Sequence, residues 1–405
     1  MRIVEINMVA NGSTGKIMFG IAECARAQGH EVQTFSAHIS TFKIKFTKPK
    51  IAGHNVFGNR ISSLLHFTLG KVFARNGFYS KFATRKLIKQ IKKFNPDVLQ
   101  LHNLHAFCIN FPVLFKYIKK YDIKTFWTLH DCWTFTGHCA YFDMVGCEKW
   151  KTGCNNCSIC RDYPKVYWDN SKAMYKKKKQ IFTGVKQMTL ITPSEWLAGL
   201  VKQSFLKDYP VKVINNGIDL NIFKPTGSDF RQKYNCEEKF IVLGVAFGWG
   251  KRKGLDVFIE LSKRLGKEYQ IVLVGTNDTL DKDLPDNIIS IHKTENQIEL
   301  AQIYSAADVF VNPTREENYP TVNMESLACG TPVITFNTGG SPEIIDNTCG
   351  IVVDKNDVDA LENKIIAVRE GNLFNKEDIL LRAKRFDMKN RYQEYIDLYQ
   401  NLEGK

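Results

Sequence analysis

Glu316-Glu317-Asn318-Tyr319-Pro320-Thr321-Val322-Asn323-Met324-Glu325, followed by Cys329-Gly330-Thr331-Pro332-Val333-Ile334, lies between two short apolar runs. The runs at 309–312 and 332–335 read as buried strands, and the spacing between them predicts a helix from 321 to 328. Pro320 suits the first turn of that helix, where its missing N–H costs nothing. Strand, loop, helix, strand is the repeating unit of a parallel sheet.

Working outward, the pattern recurs. Upstream come strands at 240–246 and 270–274, with helices at 255–265 and 298–306, and a helical region closes the chain from 376 onward. The first half shows the same scheme. Strands are predicted at 3–7, 31–36, 97–102 and 125–129, with helices at 15–28, 82–94 and 111–120. Such alternation predicts two doubly wound parallel sheets, one per half. The predicted boundaries are 1–205, 206–385 and a terminal helix, 386–405, packing back on the first domain. Ligands of open parallel sheets bind beyond the carboxyl ends of the strands. With two sheets, the cleft between them is the expected site.

Charge divides the halves. Up to Lys202 there are 31 Lys and Arg against 11 Asp and Glu, a net +20, and from Lys207 onward 25 against 31, a net −6. No acid occurs between Glu31 and Asp97, and the basic residues of 43–93 are interleaved with Phe57, Leu65, Phe73 and Phe82. A solvated face and an anionic membrane surface both account for that stretch. Nucleic acid is not expected, because no recognition module accompanies the charge. The chain opens directly on a strand, with no apolar leader and no run long enough to span a bilayer, so a cytosolic location is predicted.

Three further stretches carry chemistry. Asn11-Gly12-Ser13-Thr14-Gly15-Lys16 follows the first strand and opens a helix, where backbone N–H groups can meet a phosphate or sugar oxygen. A tight turn without ligand explains it equally. Gly248-Trp249-Gly250-Lys251-Arg252-Lys253-Gly254 puts three cations beside glycines, a composition suited to a diphosphate. Cys139, Cys147, Cys154, Cys157 and Cys160 fall in an insertion spanning about 131–165. Cys154-x-x-Cys157 is a zinc half-site, which Cys139 and Cys147 would complete as a structural centre. Reduced, unliganded thiols are the competing reading.

Glu317 and Glu325, by spacing alone, read equally as a helix-dipole partner and a solvated residue. The stretch resembles the Glu, seven residues, Glu signature of family 4 glycosyltransferases. The likeness extends to Val213-Ile214-Asn215-Asn216-Gly217-Ile218-Asp219, to 303–311, to Gly339-Gly340-Ser341-Pro342-Glu343, and to Pro193-Ser194-Glu195-Trp196 in the first half. It implies the GT-B fold, two Rossmann-like domains facing across a cleft. It also implies retaining transfer from a nucleotide-diphosphate sugar to a saccharide or lipid-linked saccharide acceptor, with no metal needed for transfer. Bacterial surface polysaccharide assembly at the inner membrane face is the implied setting. Residue by residue, the resemblance assigns Glu317 to the donor sugar and Glu325 to the ribose. Lys253 with Arg252 would take the diphosphate, Gly12 and Gly15 the donor's other side, and His130 the transferred sugar. Phe247 and Gly248 stand where the family commonly has an Arg. A sugar-nucleotide epimerase and a non-catalytic basic protein are the alternatives.

Overall fold

A computed structural model describes residues 1–39, 51–105, 107–371 and 373–401. The basic residues Lys43, Lys45, Lys48 and Lys50 lie outside the described residues. The chain divides into two compact units, Met1–Asn215 with Tyr392–Lys405, and Asn216–Arg391.

In the first unit the strands are β1 (Arg2–Asn7), β2 (Glu31–Ala37), β3 (His54–Phe57), β4 (Val98–Leu101), β5 (Thr125–Thr128), β6 (Met188–Thr192) and β7 (Val211–Val213). Among the described residues they form one parallel sheet ordered β3-β2-β1-β4-β5-β6-β7. The second unit has β8 (Phe240–Val245), β9 (Tyr269–Val274), β10 (Ile288–Ile291), β11 (Val309–Asn312), β12 (Val333–Phe336) and β13 (Gly350–Val353). Their order is β10-β9-β8-β11-β12-β13, again parallel. Both orders are doubly wound. Central strands such as Val98–Leu101 and Val309–Asn312 are buried along their whole length, as strands covered on both faces must be.

Three boundaries differ from the sequence reading. The first unit continues to Asn215 rather than 205, because β7 still pairs with β6. The terminal helix is Met388–Gln400, and it joins the first unit from Tyr392. There the Tyr399 hydroxyl donates to Gln100 Oε1 (2.9 Å) and its ring packs on Phe126. Pro320 caps the helix Thr321–Ala328 from just outside it, one residue before the expected place.

The helix Ser171–Phe182 has no counterpart in the periodicity reading. Its buried face is Met174, Tyr175, Lys178 and Phe182, so a lysine stands where an apolar residue would have signalled the helix. Lys178 is fully buried and donates to the carbonyls of Trp133 (2.5 Å) and Thr136 (3.0 Å). Those bonds tie the helix to the cysteine-rich insertion, whose Trp150 packs against Phe135 and Phe142 within the hydrophobic core of the first unit.

Candidate active site

The strand order reverses between β8 and β11 in the second unit, and the crevice of such a sheet opens at the carboxyl ends of those two strands. The loop after β8 passes through a short 3-10 turn, Lys251–Lys253, into the helix Leu255–Arg264. The loop after β11 leads into the helix Thr321–Ala328. Buried Arg315 ties the loops together. Its guanidinium forks onto Asp256 (2.7 and 2.9 Å) and also donates to the Lys251 carbonyl (2.5 Å). Its backbone N–H donates to the Arg252 carbonyl (2.8 Å). A forked arginine is a stiff connector, because two parallel bonds set both distance and angle.

With the loops so held, Lys253 Nζ donates to Glu317 Oε2. Asn318 N–H donates to Oε1 (3.2 Å). Burial by itself would raise the Glu317 carboxyl. The Lys253 ammonium, that hydrogen bond and the nearby Arg252 outweigh it, and hold the group below its ordinary value. Glu317 is therefore an ionised acceptor in a partly dry site. Arg252 spends one N–H on the Glu316 carbonyl (3.2 Å).

Behind this loop lies Gly339. Its φ is +57°, and a Cβ placed there would stand 1.8 Å from the Glu317 carbonyl oxygen. The next residue, Gly340, donates its N–H to the Asn318 carbonyl (2.7 Å). The turn after β12 thus presses directly on the backbone that carries Glu317. On the helix Thr321–Ala328, Glu325 accepts a hydrogen bond from the buried Tyr304 hydroxyl (3.3 Å). Phe247 stands fully exposed.

In the first unit, Gly12 opens the helix Gly12–Ala27. Gly15 is buried one turn in, where a Cβ would meet the Ala10 carbonyl at 2.6 Å, so close packing of the turn already requires a glycine. His130 follows β5. Its Nε2 lies 3.3 Å from His102 Nδ1, and His102 Nε2 lies 3.3 Å from Glu5 Oε2. The candidate zinc ligands Cys139, Cys147, Cys154 and Cys157 all line one pocket. Cys139 and Cys157 share a hydrogen bond that lowers the Cys157 thiol to about 7, and Cys154 Sγ accepts from Gly137 N–H (3.1 Å). Among the described residues, the group of three or more metal-ligand side chains with atoms within 4.8 Å of one another is the exposed set Asp278, Asp281 and His292. Cys139, Cys147, Cys154 and Cys157 do not reach that closeness.

Residues 15–222 match the family described as Glycosyltransferase Family 4, and residues 238–370 match Glycosyl transferases group 1. The chain belongs to glycosyltransferase family 4. The two matched regions carry Gly15 and His130 in the first unit, and Lys253, Glu317, Glu325 and Gly339 in the second. This glycosyltransferase is 24% identical over 419 residues to a protein of Escherichia coli (strain K12) named as a colanic acid biosynthesis glycosyl transferase, WcaC. That alignment covers 99% of this chain and 100% of the relative. Among solved structures, it resembles sucrose-phosphate synthase from Thermosynechococcus elongatus (TM-score 0.72, 19% identity, 99% of this chain and 98% of the other). It also resembles Anabaena HepE in complex with UDP (TM-score 0.69, 15% identity, 99% and 100%). These likenesses establish the GT-B fold.

Sequence reading named the two loops of the enzyme but not the groups that shape them. Arg315, Asp256, Tyr304 and Gly339 had no role assigned. Glu5 and His102 were also missed, although a carboxylate inside the apolar run Ile3-Val4-Glu5-Ile6 was a legible signal.

Proposed function

We propose that this glycosyltransferase moves a sugar, with retention, from a nucleotide-diphosphate donor to a saccharide acceptor in surface polysaccharide assembly. The observation that carries the reading is the Lys253–Glu317 pair at the switch point of the second sheet. In the proposed step, the bond from the anomeric carbon to the diphosphate oxygen breaks and one to the acceptor oxygen forms on the same face. The acceptor proton passes to the departing phosphate. Lys253 and Arg252 stabilise the charge gathering on that phosphate, and Glu317 holds the sugar hydroxyls and balances Lys253. Glu325 takes the ribose hydroxyls, and His130, Gly12 and Gly15 serve the donor from the first unit. A named relative in colanic acid biosynthesis and a UDP-bound structural neighbour support this reading.

The test is a panel of UDP- and GDP-sugars, scored by calorimetric binding and by nucleotide release with and without saccharide acceptors. A tight-binding donor whose nucleotide is released quickly only with acceptor is the expected result. Isomerisation of free donor, with no acceptor dependence, would overturn it.

Tyr304→Phe removes the hydroxyl that orients Glu325, one hydrogen bond to a charged group. UDP affinity is expected to fall by roughly tenfold, since such bonds contribute about 1.5–3 kcal/mol before the replacement relaxes. Calorimetry showing unchanged affinity would detach Glu325 from nucleotide binding.

The acceptor is proposed to be lipid-linked, reached from an anionic membrane surface. No helix of the described residues is long and apolar enough to cross a membrane. The support is a patch at the end of the helix Arg60–Val72. Trp168 Nε1 donates to the Val72 carbonyl (2.6 Å) and Asn170 to the Phe73 carbonyl (3.3 Å), which sets exposed Val72, Phe73, Tyr167 and Trp168 side by side. Exposed Arg75 and Lys165 flank them, and Phe82 on the basic helix Lys81–Phe94 is 85% exposed. Phe73→Ser with Trp168→Ser should weaken sedimentation with phosphatidylglycerol vesicles by roughly tenfold or more, from the apolar area lost to the bilayer. Equal sedimentation of wild type and variant, or no preference for anionic lipid, would count against the membrane reading.

A further inference from the structure

We propose that Glu5 and His102 are positioning residues that fix the tautomer of His130 through a buried chain of hydrogen bonds across three adjacent strands. Its catalytic consequence rests on the reading of His130 as a donor-side residue.

The strand register puts the three side chains on one face of the sheet. Glu5 on β1 pairs with Gln100 on β4, which pairs with Phe126 on β5. His102 lies two residues beyond Gln100, and His130 lies four beyond Phe126. Side chains repeat every second residue, so all of these share a face. The contacts follow: Glu5 Oε2 to His102 Nε2 at 3.3 Å, and His102 Nδ1 to His130 Nε2 at 3.3 Å, with the two imidazoles stacked.

The proton inventory decides the direction of the chain. Glu5 and His102 are both fully buried, and Glu5 Oε1 has no hydrogen-bond partner among the described residues. An ionised carboxylate with an orphan oxygen in a dry interior is costly, and a neutral acid much less so. Arg26, whose charge opposes protonation, donates instead to the Val32 carbonyl (3.1 Å). The other titratable groups near Glu5 are His102 and the phenols Tyr395 and Tyr399 on the terminal helix. Burial accordingly lifts the Glu5 carboxyl well above its usual range and pushes both imidazoles down, His130 to about 4. The contact is thus a neutral acid on a neutral ring, not an ion pair.

Glu5 then donates its single proton to His102 Nε2. His102 must carry its proton on Nδ1 and donate to His130 Nε2. His130, also neutral, is left with its proton on Nδ1. Ionising Glu5 reverses every bond: His102 donates to Glu5, His130 donates to His102, and His130 Nδ1 is bare. Because the acid's pKa is raised, the first arrangement holds on the low-pH side and is lost as pH rises through the folded-state value. His130 would change from a hydrogen-bond donor at Nδ1 to an acceptor there, at constant net charge of its own ring.

The experiment uses the intact chain labelled with 15N-histidine. Two-bond 1H–15N correlation spectra show which ring nitrogen of each histidine carries the proton. In wild type, His130 should be the Nδ1–H form and should convert to Nε2–H as pH is raised. Glu5→Gln keeps the shape but cannot ionise, so His130 should hold one tautomer across the same range. Glu5→Leu and His102→Leu should scramble the tautomer and lower kcat by roughly 10–100-fold with little change in donor KM. A purely structural role for Glu5 would not move the tautomer. If Glu5→Gln, which should fold like wild type, still shows a pH-driven conversion of His130, the proposal fails. His130→Ala tests the underlying reading separately. Full transfer by that variant would remove His130 from the reaction, while the spectra would still support the relay.

Discussion

Glu317→Gln is expected to lower kcat for sugar transfer by about 10²–10³ while UDP affinity stays within a few fold. The substitution keeps the shape and the hydrogen-bonding reach of the side chain. It removes the negative charge that faces Lys253 and the sugar hydroxyls. UDP should still bind, since Glu325 and Tyr304 are untouched. The pair is partly exposed, so a change of melting temperature should be modest. Because Lys253 and Asn318 hold the carboxyl below its ordinary value against the effect of burial, its charge persists as pH falls through the usual carboxylate range. The acid limb of wild-type kcat/KM should therefore lie below that range. Turnover by Glu317→Gln within threefold of wild type would reduce Glu317 to a partner that merely neutralises Lys253.

Gly339→Ala is expected to cost as much with no change in chemistry at all. The added methyl would stand 1.8 Å from the Glu317 carbonyl oxygen, so either the turn or the Glu317 loop must move. The positive φ adds strain of about 1–2 kcal/mol for a residue with a side chain. Displacing a reacting group by about 1 Å can lower rates on the order of 10²-fold. Loss of transfer should thus accompany a folded protein with a slightly reduced melting temperature, read by circular dichroism alongside the assay. Gly340→Ala is the comparison: its φ of −89° suits any residue, so that variant adds a methyl without the left-handed strain. Equal activity of both variants would show that the Glu317 loop is not set from behind by this turn.

How much of this was legible beforehand differed by residue. Lys253 and Glu317 stood out because each lies in a loop that follows a strand, beside glycines or before a helix. The role of Gly339 could not be read from its neighbours, since the reason for a glycine there is a carbonyl belonging to another loop. Arg315 looked like any residue beside two glutamates, yet it joins the two loops through Asp256. In the cysteine insertion, spacing suggested a four-thiolate centre, and the folded chain sets Cys139, Cys147, Cys154 and Cys157 around one pocket, with Cys139 and Cys157 hydrogen-bonded to each other. Spacing constrains a ligand pair where the chain between them is short, as in Cys154-x-x-Cys157, whereas the seven residues between Cys139 and Cys147 leave their meeting to the fold.

By itself the sequence determined two alternating strand–helix units, a basic first half, and the loops where donor chemistry gathers. Those properties are local, since a residue's spacing from its near neighbours decides which face of a helix or strand it occupies. Tertiary structure decided which distant residues meet. Lys253 and Glu317 are 64 positions apart and become neighbours only because β8 lies beside β11 in the sheet. Glu5 and His102, 97 positions apart, meet because β1 lies beside β4. Strand order is a property of how the whole sheet buries its two faces, and no local pattern records it.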